Sequence, residues 1–161
     1  MNRVVDWSGH GWVAMLTRWY LGAVFVLASL HKIAHPGEFA LDIATYDILP
    51  LSLINLMAVV LPWVEMIAGS MLIAGIRARA TALVVTGMMF MFLISLIIAL
   101  WRGMDMACGC FAGQGQEQDP ISWLTVLRDV AWLALALYVL LLDRRPLGVE
   151  QLWHKWRRSH A

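Results

Sequence analysis

From Ala80 to Trp101 the chain runs for 22 residues without a single charged side chain. As a helix this segment covers about 33 Å at 1.5 Å per residue, enough to cross about 30 Å of hydrocarbon. It is too long for a core strand. Three further apolar stretches, about 12–31, 51–76 and 121–142, have comparable length. Inside lipid every backbone group must find its partner within the protein, and no residue alternation suggests a barrel, so helices are the viable solution. The spacing predicts an all-α membrane protein, an antiparallel four-transmembrane-helix bundle. Composition agrees: 61% of residues are apolar and 14% charged, whereas water-soluble domains run near 45–50% and 25%. A net charge of +1 leaves no basic footprint for nucleic acid, and the apolar excess excludes disorder.

Charge asymmetry predicts the orientation. Four crossings bring both termini to one side with the Arg77/Arg79 turn. That side holds Arg3, Arg77, Arg79, Arg144, Arg145, Lys155, Arg157 and Arg158, against Lys32 and Arg102 opposite. The positive-inside rule makes the arginine-rich side cytoplasmic, in a bacterial inner membrane. Arg18 interrupts the first apolar stretch and no small-residue cleavage site follows, so a cleaved signal peptide is not expected. The expected organisation is a transmembrane domain over 1–143 and a cytoplasmic basic amphipathic tail over 144–161. In that tail Val149, Leu152, Trp153 and Trp156 share one helical face beside Lys155, Arg157 and Arg158. Such a helix suits the surface of an anionic leaflet; a disordered basic tail is the alternative. On the outer side, Phe39, Ile43 and Tyr46 recur at helical spacing after Pro36-Gly37, which predicts a short exoplasmic interfacial helix.

The only cysteines, Cys108 and Cys110, flank Gly109 in the outward segment between the third and fourth spans. A disulfide across one residue requires a bent backbone, which Gly109 permits. It removes almost no chain entropy from the unfolded state, so stapling explains it poorly. Strained, exposed disulfides exchange readily. Three readings stay open: a redox-active dithiol, ligands for a soft metal, or incidental cysteines. For the metal, Met104, Met106, Cys108 and Cys110 alternate in a set that suits copper(I), and His31 and His35 on the same side could complete it. Because no cysteine lies in a span or on the inner side, a thiol relay across the membrane is excluded. Electrons from the pair would pass to another protein or to a diffusible carrier, for which a quinone is the natural choice in lipid.

Charges within the spans are costly, about 2.5–3.5 kcal/mol each near the bilayer centre, so Arg18, Glu65, Arg128 and Asp129 are expected to face the interior and pair. Arg18 and Glu65 differ in depth by about 6 Å when each is counted from the cytoplasmic end of its span, which makes them the expected pair. Arg128 and Asp129 lie just below the cysteine segment. There a guanidinium would favour the thiolate and a carboxylate could carry protons. The alternative is that these charges only set helix register. Pro62 predicts a kink in the second span, and the small residues Ala80, Ala82 and Gly87 suit close helix packing.

Together these residues resemble the MauE and DoxX families of four-helix bacterial membrane proteins, and more closely the MauE-type, redox-associated branch. The resemblance spans about residues 17 to 142. It rests on Leu30-His31-Lys32 running into His35-Pro36, on Tyr46 to Pro50, on Leu61-Pro62-Trp63-Val64-Glu65 with Gly69 and Gly75, on Cys108-Gly109-Cys110-Phe111, and on Leu127-Arg128-Asp129. One departure is visible: Ala112 separates Phe111 from Gly113, where the family usually runs Cys-x-Cys-Phe-Gly. The resemblance implies an inner-membrane protein similar to those that mature disulfide-rich periplasmic dehydrogenases, with relatives linked to quinone-coupled thiol oxidation. It implies Cys108 and Cys110 as the redox pair and Glu65 and Arg128 as buried charged positions.

The expected function is therefore thiol/disulfide exchange with a periplasmic client bearing thiols or disulfides. One cysteine would form the mixed disulfide and the other resolve it, Arg128 would tune the thiolate, and Asp129 or Glu65 would handle protons. Two other classes compete: a non-catalytic membrane anchor or scaffold subunit, and a copper-handling membrane protein.

Overall fold

A computed structural model describes residues 10–103 and 123–143 of the chain. These residues form five helices: α1 (His10–Ala34), α2 (Pro36–Thr45), α3 (Leu51–Ala74), α4 (Ala78–Trp101) and α5 (Trp123–Leu142). No strand occurs among the described residues. Four helices, all but α2, are long and apolar enough to cross a membrane. The chain is thus an all-helical, multi-pass membrane protein. Residues 144–161, expected to form the basic tail, lie outside the described residues.

The long helices alternate in direction. α1 packs on α3 and α4 on α5, and contacts of α3 with α4 and of α1 with α5 close the bundle. Lipid offers helices no hydrophobic reason to associate, so close approach depends on small residues. Gly22 of α1 and Gly69 of α3 supply it: a methyl group at Gly22 would stand 2.7 Å from the Gly69 carbonyl oxygen, and one at Gly69 would stand 2.9 Å from the Gly22 carbonyl oxygen. Of the small residues in α4, Ala82 enters the core with Leu21, Leu72, Val85 and Val139. Ala80 is exposed, and nothing packs against Gly87.

Local chemistry marks the turns. α3 ends at Gly75, whose φ of 68° is the left-handed cap. The amides of Gly75 and Ile76 donate back to the carbonyls of Leu72 and Met71, satisfying carbonyls that a helix end leaves open. α3 continues through Pro62, which is buried inside the helix. α2 begins with Pro36 in its first turn and buries no residue fully, as expected of a short helix lying across one end of a bundle. That end also holds the C-terminus of α4 and the start of α5, and the Arg102 guanidinium donates to the Asp47 carbonyl across it at 3.5 Å.

Candidate functional site

α1 extends to Ala34, which puts Lys32 in its last turn rather than in a loop. The Lys32 ammonium donates to both oxygens of Glu65 at 2.9 Å, with about a tenth of each side chain exposed. Helical side chains lean toward the N-terminus of their own helix. In antiparallel α1 and α3 Lys32 therefore leans inward and Glu65 outward, and the two meet. The ammonium also sits 4.9 Å from the centre of the Phe39 ring of α2, so the pair ties α1, α2 and α3 together.

The expected Arg18–Glu65 pair does not form. With Gly22 against Gly69, Glu65 stands level with Val26, about 12 Å along the axis from Arg18, and the two side chains lean apart. Arg18 is 1% exposed and lies 3.3 Å from the Asp143 carboxylate, just past α5. The offset follows from the Gly22–Gly69 contact, which fixes the register of α1 on α3 independently of where each span ends.

Arg128 and Asp129 touch each other at 3.4 Å but differ in burial. The buried stripe of α5 runs Val126, Asp129, Ala136, Val139 and continues to Asp143. Asp129 is on that stripe and fully buried, whereas Arg128 is off it and does not face the interior as expected. Its side chain, 40% exposed, stacks over Trp132 at 4.8 Å. The Trp132 indole in turn donates to the Tyr20 hydroxyl at 3.1 Å.

Lys32, Glu65, Asp129 and Trp132 line a cavity of about 230 Å³ at the α2 end, bounded by α1, α2, α3, α4 and α5, whereas Arg18, Asp143 and Arg128 do not line it. Its wall is largely apolar, with Phe25, Phe39, Met88, Phe92 and Trp132 among the lining residues. Into it come Lys32, Glu65, Asp42 and Asp129. The Phe39–Ile43–Tyr46 face expected of the interfacial helix forms part of the lining. The Asp129 carboxyl shows what the site lacks. One oxygen accepts from the Arg128 guanidinium at 3.4 Å; the other, buried, finds no donor among the described residues. Such an oxygen costs about 1–3 kcal/mol or more unless it is protonated or a ligand supplies a donor. An apolar cavity with a few convergent polar groups is the usual form of a small-molecule site.

Asp42 lies in α2, outside the spans. Burial and then the Glu38 carboxylate raise its pKa above the ordinary 3.8, outweighing His31 and Lys32, which lower it. The folded state thus binds the proton more tightly than the unfolded chain, so this group's contribution to stability falls as pH rises from about 3.8 through the raised value. Asp42→Asn is expected to raise the melting temperature at pH 7. The gain should vanish below the ordinary carboxylate range, as thermal unfolding in detergent at both pH values will show.

Of the remaining candidates, His31 and His35 come together, their rings 4.8 Å apart. Met104, Met106, Cys108 and Cys110 lie outside the described residues. Lys32, Asp42, Trp132 and Asp143 were not singled out by sequence reasoning as members of the site or its supporting contacts. The signals were present for two of them: Lys32 one turn from the end of an apolar helix, and Asp143 two heptads beyond Asp129.

The family model described as "Methylamine utilisation protein MauE" matches residues 10–142. Curated relatives carry the same name. That of Paracoccus denitrificans is 35% identical over 123 residues, 76% of this chain and 65% of its own length. That of Methylophilus methylotrophus is 30% identical over 140 residues, 86% of this chain and 73% of its own. That of Methylorubrum extorquens is 33% identical over 127 residues, 78% of this chain and 67% of its own. The chain thus spans only 65% of the Paracoccus relative. No solved structure matches the chain.

Proposed function

The chain belongs to the MauE family, and from that premise we propose that it is an accessory membrane protein of methylamine utilisation that exchanges thiols and disulfides with a periplasmic client. The proposed setting is the bacterial inner membrane, with the termini and the Arg77/Arg79 turn cytoplasmic and the α2 end periplasmic. The observation that carries the reading is the apolar cavity at the α2 end, holding a buried carboxylate oxygen with no donor among the described residues. Cys108 follows Gly103 by five residues, so chain length alone tethers it to that same end.

In the oxidising direction a client thiolate attacks one sulfur of a Cys108–Cys110 disulfide, forming a mixed disulfide and releasing the other cysteine as a thiolate. The client's second thiolate then displaces the first cysteine. The client gains a disulfide and gives up two electrons and two protons, which the pair takes up as two thiols.

The cavity fits a quinone ring: its volume of about 230 Å³ exceeds the ~150 Å³ that admits benzene. Phe39, Met88 and Trp132 would hold the ring, Lys32 would donate to a carbonyl, and Asp129 would hold or pass a proton. A quinone there would supply the sink for the pair's two electrons and two protons. Asp129 suits proton traffic because its second oxygen has no competing donor among the described residues. Glu65, held by both of its oxygens, suits it less and keeps Lys32 in place. Arg128 provides positive charge at the rim, favouring a thiolate nearby.

Alkylation of intact cells with a membrane-impermeant maleimide, with and without reductant, tests this reading. Cys108 and Cys110 are expected to be reached from outside and to shift from oxidised to reduced when cellular quinone is depleted. A pair that stays oxidised whatever the client and quinone supply, or that labels only after permeabilisation, would overturn it in favour of an anchor subunit.

A further inference from the structure

We propose that His31, His35 and Glu38 form a site for a first-row divalent cation of zinc type at the junction of α1 and α2. Its three ligands include no cysteine, and it does not rest on the thiol reading. Their ligand atoms all lie within 4.8 Å of one another. His31 is in the last turn of α1, and the His35 amide donates to the His31 carbonyl at 3.0 Å. That helical bond sets the two imidazoles on one side of the junction. Pro36 then starts α2 at once, bringing Glu38 around to the same side.

Three features mark these side chains as ligands in waiting. His35 occupies the N-cap of α2 yet makes no side-chain capping bond, so its ring does not serve the helix end. His31 Nε2 and Glu38 Oε2 stand 3.8 Å apart, too far for a hydrogen bond but close to the spacing of two ligands on one ion. With zinc-to-ligand distances near 2.0–2.1 Å, tetrahedral ligands sit about 3.3 Å apart, so rotamer adjustment of exposed side chains closes the set. Finally, the cation that would compete for Glu38 is engaged elsewhere: Lys32 is bound to Glu65. Asp42 adds negative charge from one turn further along α2, near enough to sense both His31 and Glu38.

Two imidazoles and one carboxylate with open positions suit zinc, copper(II) or nickel and discriminate against magnesium and calcium, which prefer oxygen alone. A cation held there links the end of α1 to the first turn of α2, the helix that covers the cavity. Binding should therefore raise the melting temperature.

The test uses the full chain in detergent micelles with Cys108→Ser and Cys110→Ser, so that thiolates do not bind the probe. Zinc titrated against a chromophoric chelator is expected to bind at one equivalent and to survive excess magnesium. His31→Ala and His35→Ala should each weaken it by at least about tenfold, Glu38→Gln by less, and His10→Ala, at the far end of α1, not at all. Helical circular dichroism verifies that each variant is folded. Independently of any histidine variant, copper(II) bound to this chain should show nitrogen coupling from two imidazoles in its electron paramagnetic resonance spectrum. Zinc affinity unchanged in the His31→Ala/His35→Ala double variant, or a copper spectrum without two nitrogen ligands, would overturn the proposal.

Discussion

Glu65→Ala is expected to cost the folded bundle about 3–5 kcal/mol, the range found when one member of a buried ion pair is removed. Lys32→Ala should cost a similar amount. The loss has two parts. The remaining charge keeps its desolvation penalty without its partner, and the bond that joins α1 to α3 beneath α2 disappears. Because the penalty belongs to the unpaired charge, the double variant Lys32→Met/Glu65→Leu should recover most of the stability either single variant loses. Unfolding of the detergent-solubilised protein by added denaturing surfactant, run as a double-mutant cycle, measures this. Single losses below about 1 kcal/mol, the size of an exposed pair, would mean the pair is not buried as described. A double variant no better than the singles would show that the pair contributes net stability.

Gly22→Leu should be nearly as severe, by about 3 kcal/mol, the upper end of what overpacking usually costs. The reason is the identity of the neighbour. The first carbon of any side chain at Gly22 meets the Ile73 side chain, which can rotate away, and also the Gly69 carbonyl oxygen at 2.7 Å, which cannot. Relief requires α1 and α3 to separate, and separation moves Lys32 from Glu65. Gly22→Ala should cost less but in the same sense, and Gly87→Leu, where nothing lies within 4 Å, should cost little. Thermal unfolding of the three variants side by side tests the ordering.

The cavity and its charges were only partly legible in the sequence. Phe39, Ile43 and Tyr46 could be read as one face because their spacing is a local property of a helix. Glu65 and Asp129 stood out as ionisable groups in apolar runs. Partner choice was not legible: Glu65 meets Lys32 and Arg18 meets Asp143. These choices depend on the axial offset between helices, which a glycine contact sets to within a few ångströms, and on the lean of each side chain. Arg128 and Asp129, adjacent in the chain, illustrate the same limit. Rotation of α5 about its axis decides which of them is buried, and that rotation answers to packing along the whole helix.

What the amino-acid order determined by itself was the number of long apolar helices, their approximate ends and the short helix between the first two. Hydrocarbon thickness and backbone hydrogen bonding act on each segment alone, and these follow from them. The register of α1 on α3, the face α5 turns inward, and hence the cavity with the buried Asp129 carboxylate were decided only in the tertiary structure. Close contact between particular residues on different helices has no counterpart in any single segment.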